Sequence, residues 1–295
     1  MTPLFFALPG NERLVQRLSE AMVVKIGKWN HRRFPDGELY LRIESEVRGN
    51  SCLLVSSLND PDEKISSLVF LSSTLRELGA KKIILVAPYL AYLRQDCRFQ
   101  VGEGVTSKYF ARLLSEYFEG VITVDPHLHR YSSLNEIYSI PTKIVHAAPE
   151  ISDWIRKKVV KPLVIGPDLE SEQWVSQVAK GADAPYLVLE KIRKADREVE
   201  IHFPSMSIWH EHTPVIVDDI ISSAKTMIAS VENLRKMNFM SIVCVGIHAI
   251  FEGNSYEDLV AAGAGEVVTC NTINHASNQI DLSTVLADAV KSFSS

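Results

Sequence analysis

Residues 214–227 read Pro-Val-Ile-Val-Asp-Asp-Ile-Ile-Ser-Ser-Ala-Lys-Thr-Met. An apolar run meets two adjacent carboxylates, Asp218 and Asp219. A turn carrying Ser222, Ser223 and Thr226 follows, and then a helical pattern begins. Paired acids can accept hydrogen bonds from vicinal hydroxyls, and loop amides at a helix N-terminus can hold a phosphate. That combination suits a phosphorylated sugar. The plainer role for an Asp at a strand end is to cap the next helix.

Five further segments carry reactive or binding residue types. Arg32-Arg33-Phe34-Pro35-Asp36-Gly37-Glu38 places an aromatic beside two acids, fit to stack on a base and accept from its amino group. Its Pro-Asp-Gly core is equally an ordinary hairpin turn. Arg94-Gln95-Asp96 leaves an apolar strand with a planar cationic fork and two acceptors. Asp125-Pro126-His127-Leu128-His129 follows another strand. Without a zinc-type partner motif, a lone His127 beside a Mg²⁺-bound triphosphate is more plausible than a protein-ligated zinc. Asp168, in Gly166-Pro167-Asp168, could ligate Mg²⁺, hold a ribose hydroxyl or cap a helix. The charged run 190–197 is either a solvated hairpin or a loop that brings Lys191 and Arg193 over a polyphosphate.

The elements that must position these groups alternate. Strands are expected at Leu4–Leu8, Leu39–Ile43, Cys52–Ser56, Lys82–Ala87, Gly120–Val124, Pro162–Ile165, Tyr186–Leu189, Val215–Val217, Ser241–Ile247 and Glu266–Cys270. Amphipathic helices are expected between most of them, ending with Ser283–Phe293. This is the pattern of βαβ units and parallel sheets covered on both faces. Strand 83–88, a helix and strand 121–125 echo strand 215–219, a helix and strand 242–247. A boundary is expected near residue 146, dividing the chain into 1–146 and 147–295. Ligands in open α/β sheets bind at the carboxyl ends of strands, where Arg94 to Asp96, Asp125 to His127, Asp168, and Asp218 with Asp219 are all expected to lie.

Bulk properties narrow the partners. A chain of 295 residues with 46% apolar content can bury the cores of two domains. Its net charge of −5 gives no general pull toward nucleic acid or an acidic membrane. No apolar run reaches membrane-spanning length and no basic leader precedes residue 10, so a soluble cytoplasmic protein is expected. The four cysteines are scattered without a C-x-x-C pair, so dithiol chemistry has no support. A Walker A loop is absent from the sequence, so any ATP must bind by another route.

Taken in order, these segments resemble the ribose-phosphate pyrophosphokinase (phosphoribosyl pyrophosphate synthetase) family over nearly the whole chain. The resemblance rests on Phe-Pro-Asp-Gly-Glu at 34–38, Arg-Gly at 48–49, Arg-Gln-Asp at 94–96 and Asp-Pro-His at 125–127. It continues through Gly-Pro-Asp at 166–168, Lys-Ile-Arg at 191–193 and the Asp-Asp loop at 218–226. It implies two tandem type I phosphoribosyltransferase-like domains, the first on the ATP side and the second on the ribose 5-phosphate side. The last helix could pack on the first domain. It further implies transfer of the β,γ-diphosphoryl group of ATP to ribose 5-phosphate, with Mg²⁺. Phe34, Asp36, Glu38, Arg94, Gln95, Asp96 and His127 would then bind ATP, the hairpin residues reaching across from a neighbouring subunit. Metal would fall to His127 and Asp168, and catalysis to Lys191 and Arg193. Asp218, Asp219 and Ser222, Ser223, Ala224, Lys225 and Thr226 would bind ribose 5-phosphate. A homo-oligomer is implied, at least a dimer and up to a hexamer. A catalytically silent regulatory paralogue and a phosphoribosyltransferase remain alternatives.

Two departures from the family pattern stand out. The phosphate loop commonly reads Asp-Thr-Gly-Gly-Thr or Asp-Thr-Ala-Gly-Thr, whereas here it is Ser222-Ser223-Ala224-Lys225-Thr226. Lys225 replaces a glycine, and either turns away or adds a positive charge beside the phosphate. The stretch after Asp96 reads Cys97-Arg98-Phe99-Gln100-Val101-Gly102-Glu103-Gly104, with one arginine where the phosphate-activated branch is rich in them. Weak allosteric control by phosphate and ADP is therefore expected. Initial velocity followed across inorganic phosphate concentrations should stay nearly flat, and steep activation would contradict this reading.

Overall fold

The structure is a computed structural model that describes residues 3–167, 171–193, 199–202 and 206–294. It divides into two compact units, one of residues up to 145 together with 283 onward, the other of residues 146–282.

In chain order the first unit contains β1 (Leu4–Ala7), α1 (Glu12–Met22), β2 (Lys25–Ile26), β3 (Trp29–Arg33), β4 (Leu39–Ile43) and β5 (Ser51–Val55). It continues with α2 (Pro61–Glu77), β6 (Lys82–Ala87), α3 (Thr106–Tyr117), β7 (Val121–Val124) and β8 (Thr142–Val145). Its sheet runs β2-β1-β5-β6-β7-β8, parallel throughout, and β3–β4 forms a separate antiparallel hairpin. Strands covered on both faces must be apolar at successive positions, and Leu53, Leu54, Ile83, Ile84, Val121 and Ile122 are all fully buried. Each such side chain contributes about 1.5–3 kcal/mol. Pro61 opens α2 with Asp62 and Glu63 behind it, pre-set in φ and matched to the positive helix end.

The second unit contains α4 (Ala148–Lys158), β9 (Pro162–Gly166), α5 (Glu172–Ala182), β10 (Tyr186–Val188), β11 (Glu190–Arg193) and β12 (Val199–His202). Then come β13 (Thr213–Ile221), α6 (Lys225–Lys236), β14 (Val243–Ala249), α7 (Ser255–Ala261), β15 (Glu266–Cys270) and β16 (Asn278–Ile280). Its parallel sheet runs β10-β9-β13-β14-β15-β16, and β11–β12 is an antiparallel hairpin. The final helix, α8 (Ser283–Ser294), belongs to the first unit. There Phe293 packs beside Gly120, where a Cβ would lie 2.3 Å from its ring.

The two units share one topology. Each makes a first strand, an edge strand, an antiparallel hairpin outside the sheet, and then four strands in succession. This corrects the repeat expected from sequence by one strand. In sheet position β13 corresponds to β5, not β6, and hairpin β11–β12 corresponds to hairpin β3–β4. The expected repeat rests on a strand that feeds a polar loop and then a long helix, a pattern that β5 with α2 and β6 with α3 both follow.

The strand carrying the paired acids is also longer than expected. β13 continues through Asp218 and Asp219 to Ile221, in register with β14 as Asp218↔Gly246 and Ile220↔His248. Successive strand positions face opposite sides of a sheet, so the two acids do not simply line one face. Cys52 and Cys244 are core residues; burial pushes their thiols up to about 11 and about 12. Neither is a nucleophile near neutral pH.

At the start of α6, the left-handed conformation falls on Ala224 (φ 53°, ψ 6°), while Lys225 is the first helical residue. A Cβ in that region costs about 1–2 kcal/mol. Ala224→Gly should therefore raise the unfolding free energy in urea by about 0.5–1 kcal/mol, the strain relief exceeding the added entropy of the unfolded chain. A loss of similar size would contradict the strained geometry.

Candidate active site

In the first unit β6 and β7 are neighbours, with Ala87 opposite Thr123, so the loops that leave their carboxyl ends lie side by side. The Val124 N–H donates to the Pro88 carbonyl at 3.3 Å, joining the two loops at their base. Within the β6 loop, Tyr92 has φ 62°, a strained value for a non-glycine residue. Its hydroxyl donates to the Asp62 carboxylate, and its ring packs 4.7 Å from that of Phe110. The hydrogen bond to Asp62 holds the phenol above its ordinary pKa.

The residues that follow are fixed one by one. Arg94 is exposed. Gln95 accepts from the Thr106 hydroxyl at 3.1 Å through its side chain and from the Ser107 N–H at 3.4 Å through its carbonyl. Both contacts are with the first residues of α3. Asp96 buries its carboxylate and accepts from Arg130 at 2.7 Å. Beyond it the Glu103 carboxylate accepts from the Phe99 and Gln100 N–H groups at 2.7 and 3.0 Å, closing the 98–103 loop on itself.

The β7 loop opens with Asp125 at φ 30°, a second strained position. His127 is half-buried and His129 exposed, their rings 4.1 Å apart and nearly perpendicular. Arg130 and Tyr131, next in this loop, reach back to Asp96. Sequence reasoning missed both, although Arg130 directly follows the Asp125–His129 segment; nothing in its spacing marked a partner 34 residues away.

Phe34, Asp36 and Glu38 occupy the tip of hairpin β3–β4. The Gly37 N–H donates to the Phe34 carbonyl at 2.9 Å and the Glu38 N–H to the Asp36 carboxylate at 3.1 Å. Gly37 adopts φ 92°, which a side chain would strain. Phe34 is 38% exposed, and the Arg32 guanidinium lies 4.5 Å from its ring and 4.7 Å from that of Tyr40. Phe34 also lines a shallow depression of about 420 Å³ with Tyr40, Leu41, Phe70 and Thr74. The turn is thus an ordinary hairpin turn that also presents an aromatic and two acids.

In the second unit the β13–α6 loop carries Ser222, Ser223 and Ala224, and α6 opens with Lys225 and Thr226. The Asp219 N–H donates to the Asp218 carboxylate at 3.0 Å. The Ser222 carbonyl accepts from the Ser255 hydroxyl at 2.7 Å and the Glu252 N–H at 3.3 Å, so the start of α7 props the loop. Ser223 and Thr226 are half-buried and Lys225 is exposed. The glycine whose loss mattered in the sequence is therefore not the residue under backbone strain here: Ala224 is.

On β9, Gly166 fits because a Cβ would stand 2.7 Å from the Ser171 hydroxyl and 2.8 Å from Val175. Asp168 lies outside the described residues. Lys191 and Arg193 lie on β11, opposite Ile201 and Val199 of β12, so residues 190–193 of the charged run are one strand of an antiparallel pair. Their side chains lie outside the described set. Among the described residues no group of three or more His, Cys, Asp or Glu is placed to hold a metal ion.

Comparisons with known proteins agree with this geometry. The family model described as the N-terminal domain of ribose phosphate pyrophosphokinase matches residues 4–117, and the phosphoribosyl transferase domain model matches residues 133–283. A ribose-phosphate pyrophosphokinase of Sulfurisphaera tokodaii is 34% identical over 262 residues, covering 88% of this chain and 89% of the relative. One of Methanopyrus kandleri is 31% identical over 285 residues, covering 96% of each. The crystal structure of phosphoribosylpyrophosphate synthetase from Mycobacterium smegmatis superposes with a TM-score of 0.86 over 99% of both chains at 19% identity, a likeness of fold. The fold is the expected pair of mainly parallel, helix-flanked phosphoribosyltransferase-like sheets. With both family models matched in chain order and relatives above 30% identical over most of its length, the chain belongs to the ribose-phosphate pyrophosphokinase family.

Proposed function

We propose that the chain transfers the β,γ-diphosphoryl group of ATP to the anomeric oxygen of ribose 5-phosphate, giving phosphoribosyl pyrophosphate and AMP. The observation that carries this reading is the match of both family models in chain order, with strand-end loops bearing acids, cations and hydroxyls. The anomeric hydroxyl oxygen attacks the β-phosphorus, the bond from that phosphorus to the bridging oxygen of AMP breaks, and the hydroxyl proton is lost. Such a transfer needs in-line placement and charge stabilisation more than a covalent partner.

In this reading the unit holding β1–β8 is the ATP side. Arg94, Gln95 and Asp96 line the nucleotide with His127. Phe34, Asp36 and Glu38 receive adenine from a second copy of the chain, which makes the working form a homo-oligomer of at least two subunits. The unit holding β9–β16 is the ribose 5-phosphate side. Asp218 and Asp219 hold ribose hydroxyls, and Ser222, Ser223, Ala224, Lys225 and Thr226 hold the 5-phosphate through helix-start amides and hydroxyls. Lys191 and Arg193 offset charge on the transferring group. His127 and Asp168 would hold Mg²⁺. When bound, that ion supplies charge neutralisation at the phosphate oxygens. We place the enzyme in the cytoplasm; no described helix is long and apolar enough to cross a membrane.

Incubation with ATP, Mg²⁺ and ribose 5-phosphate should release AMP, and omitting the sugar should abolish it. Absence of AMP at high enzyme concentration would overturn the reading. Lys191→Ala should lower turnover about a hundredfold to a thousandfold with a modest change in ribose 5-phosphate affinity. Equal losses in both would make Lys191 a binding residue instead.

A further inference from the structure

We infer that Arg130 is a positioning residue for the nucleotide: it clamps Asp96 and so fixes the Arg94-Gln95-Asp96 segment against the loop that carries His127. The inference rests on the diphosphokinase reading and adds to it a residue outside the motifs that define the family resemblance.

The clamp has two arms from consecutive residues. The Arg130 guanidinium donates to one carboxylate oxygen of Asp96 at 2.7 Å, and the Asp96 side chain is 2% exposed. The Tyr131 hydroxyl donates to the Asp96 backbone carbonyl at 3.0 Å and also lies 3.1 Å from the Ser107 hydroxyl on α3. Asp96 is therefore gripped at its side chain and at its backbone. A third contact steadies the cation, which sits 5.1 Å from the Phe99 ring centroid. The other Asp96 carboxylate oxygen has no hydrogen-bond partner among the described residues.

These facts fix what removal of Arg130 must do. A carboxylate buried to this degree is tolerated when a cation or several donors face it. With one oxygen already unpartnered, losing Arg130 leaves neither oxygen of the carboxylate hydrogen-bonded to a side chain. The group must then recruit water, which loosens the 94–99 segment. Displacement of about 1 Å in a positioning segment is enough to cost large factors in binding or rate. Arg130 itself is 53% exposed, so its removal takes little apolar packing from the core, and the cost falls on the Asp96 carboxylate left without its cation. A ligand bound elsewhere separates local mispositioning from general destabilisation.

The half-exposed guanidinium suggests a rival role, direct contact with a phosphate. The two roles differ in how the loss depends on the nucleotide. A clamp that positions Gln95 and Asp96 affects AMP and ATP alike, whereas a phosphate ligand affects ATP far more.

Titration calorimetry of AMP, ATP and ribose 5-phosphate against the full-length wild type, Arg130→Ala and Arg130→Lys tests this. The clamp predicts that R130A weakens AMP and ATP by a similar factor of about ten or more and leaves ribose 5-phosphate affinity unchanged. R130K should recover part of the loss. Should R130A fail to fold, Phe99→Ala, at an exposed ring, should still weaken both nucleotides severalfold. Unchanged nucleotide affinity, a loss confined to ATP, or equal losses of all three ligands would each overturn the clamp. A wild type that binds no nucleotide would sink the diphosphokinase reading and the clamp with it.

Discussion

In a parallel sheet a strand can reach its neighbour only through a crossover, so every strand of the sheet ends at the same edge. Both sheets here are parallel throughout, and the candidate residues follow from that constraint. The loops after β6 and β7 are neighbours because their strands pair, and the β13–α6 loop abuts the turn before α7 because β13 pairs with β14. The sheets supply the burial energy, leaving the loops free to carry polar groups that a core could not.

Those loops are not relaxed. Tyr92, Asp125 and Ala224 all hold positive φ without being glycine. Each costs on the order of 1–3 kcal/mol and persists because its surroundings fix it. Tyr92 is held by Asp62 and Phe110, Asp125 by its N–H bond to Val145, and the Ala224 turn by Ser255 and Glu252 acting on Ser222. The shared topology adds a contrast. The β5–α2 loop stands in the first unit where the β13–α6 loop stands in the second, and there the Lys64 ammonium donates to the carbonyls of Ser57 and Asn59. In the first unit a side chain of the protein itself fills that turn. In the second the corresponding turn displays half-buried Ser222 and Ser223, ahead of an exposed Lys225 and a half-buried Thr226 at the start of α6.

The parallel strands were legible because burial on both faces forces unbroken apolar runs, as in Ser51–Val55 and Lys82–Ala87. β3, reading Trp-Asn-His-Arg-Arg, was not, since a hairpin outside the sheet needs no apolar face. Nor was β16, three residues at a sheet edge. The end of β13 was misjudged because two acids read as a strand end, yet the ladder to β14 continues past them. Motif order revealed the family; motif spacing could not reveal the Asp96–Arg130 pair, which depends on two adjacent loops meeting in space. The backbone demand at Ala224, rather than Lys225, was likewise invisible, because a composition change marks which residue differs and not which torsion is strained.

The proposed reaction requires that two phosphoryl groups leave ATP together. Phosphorus NMR of the wild-type protein with ATP, Mg²⁺ and ribose 5-phosphate reads this out. An AMP signal should grow in step with a pair of coupled doublets from a sugar-linked diphosphate. Signals of ADP and a sugar bearing a single new phosphate, or an unchanged ATP spectrum, would contradict it.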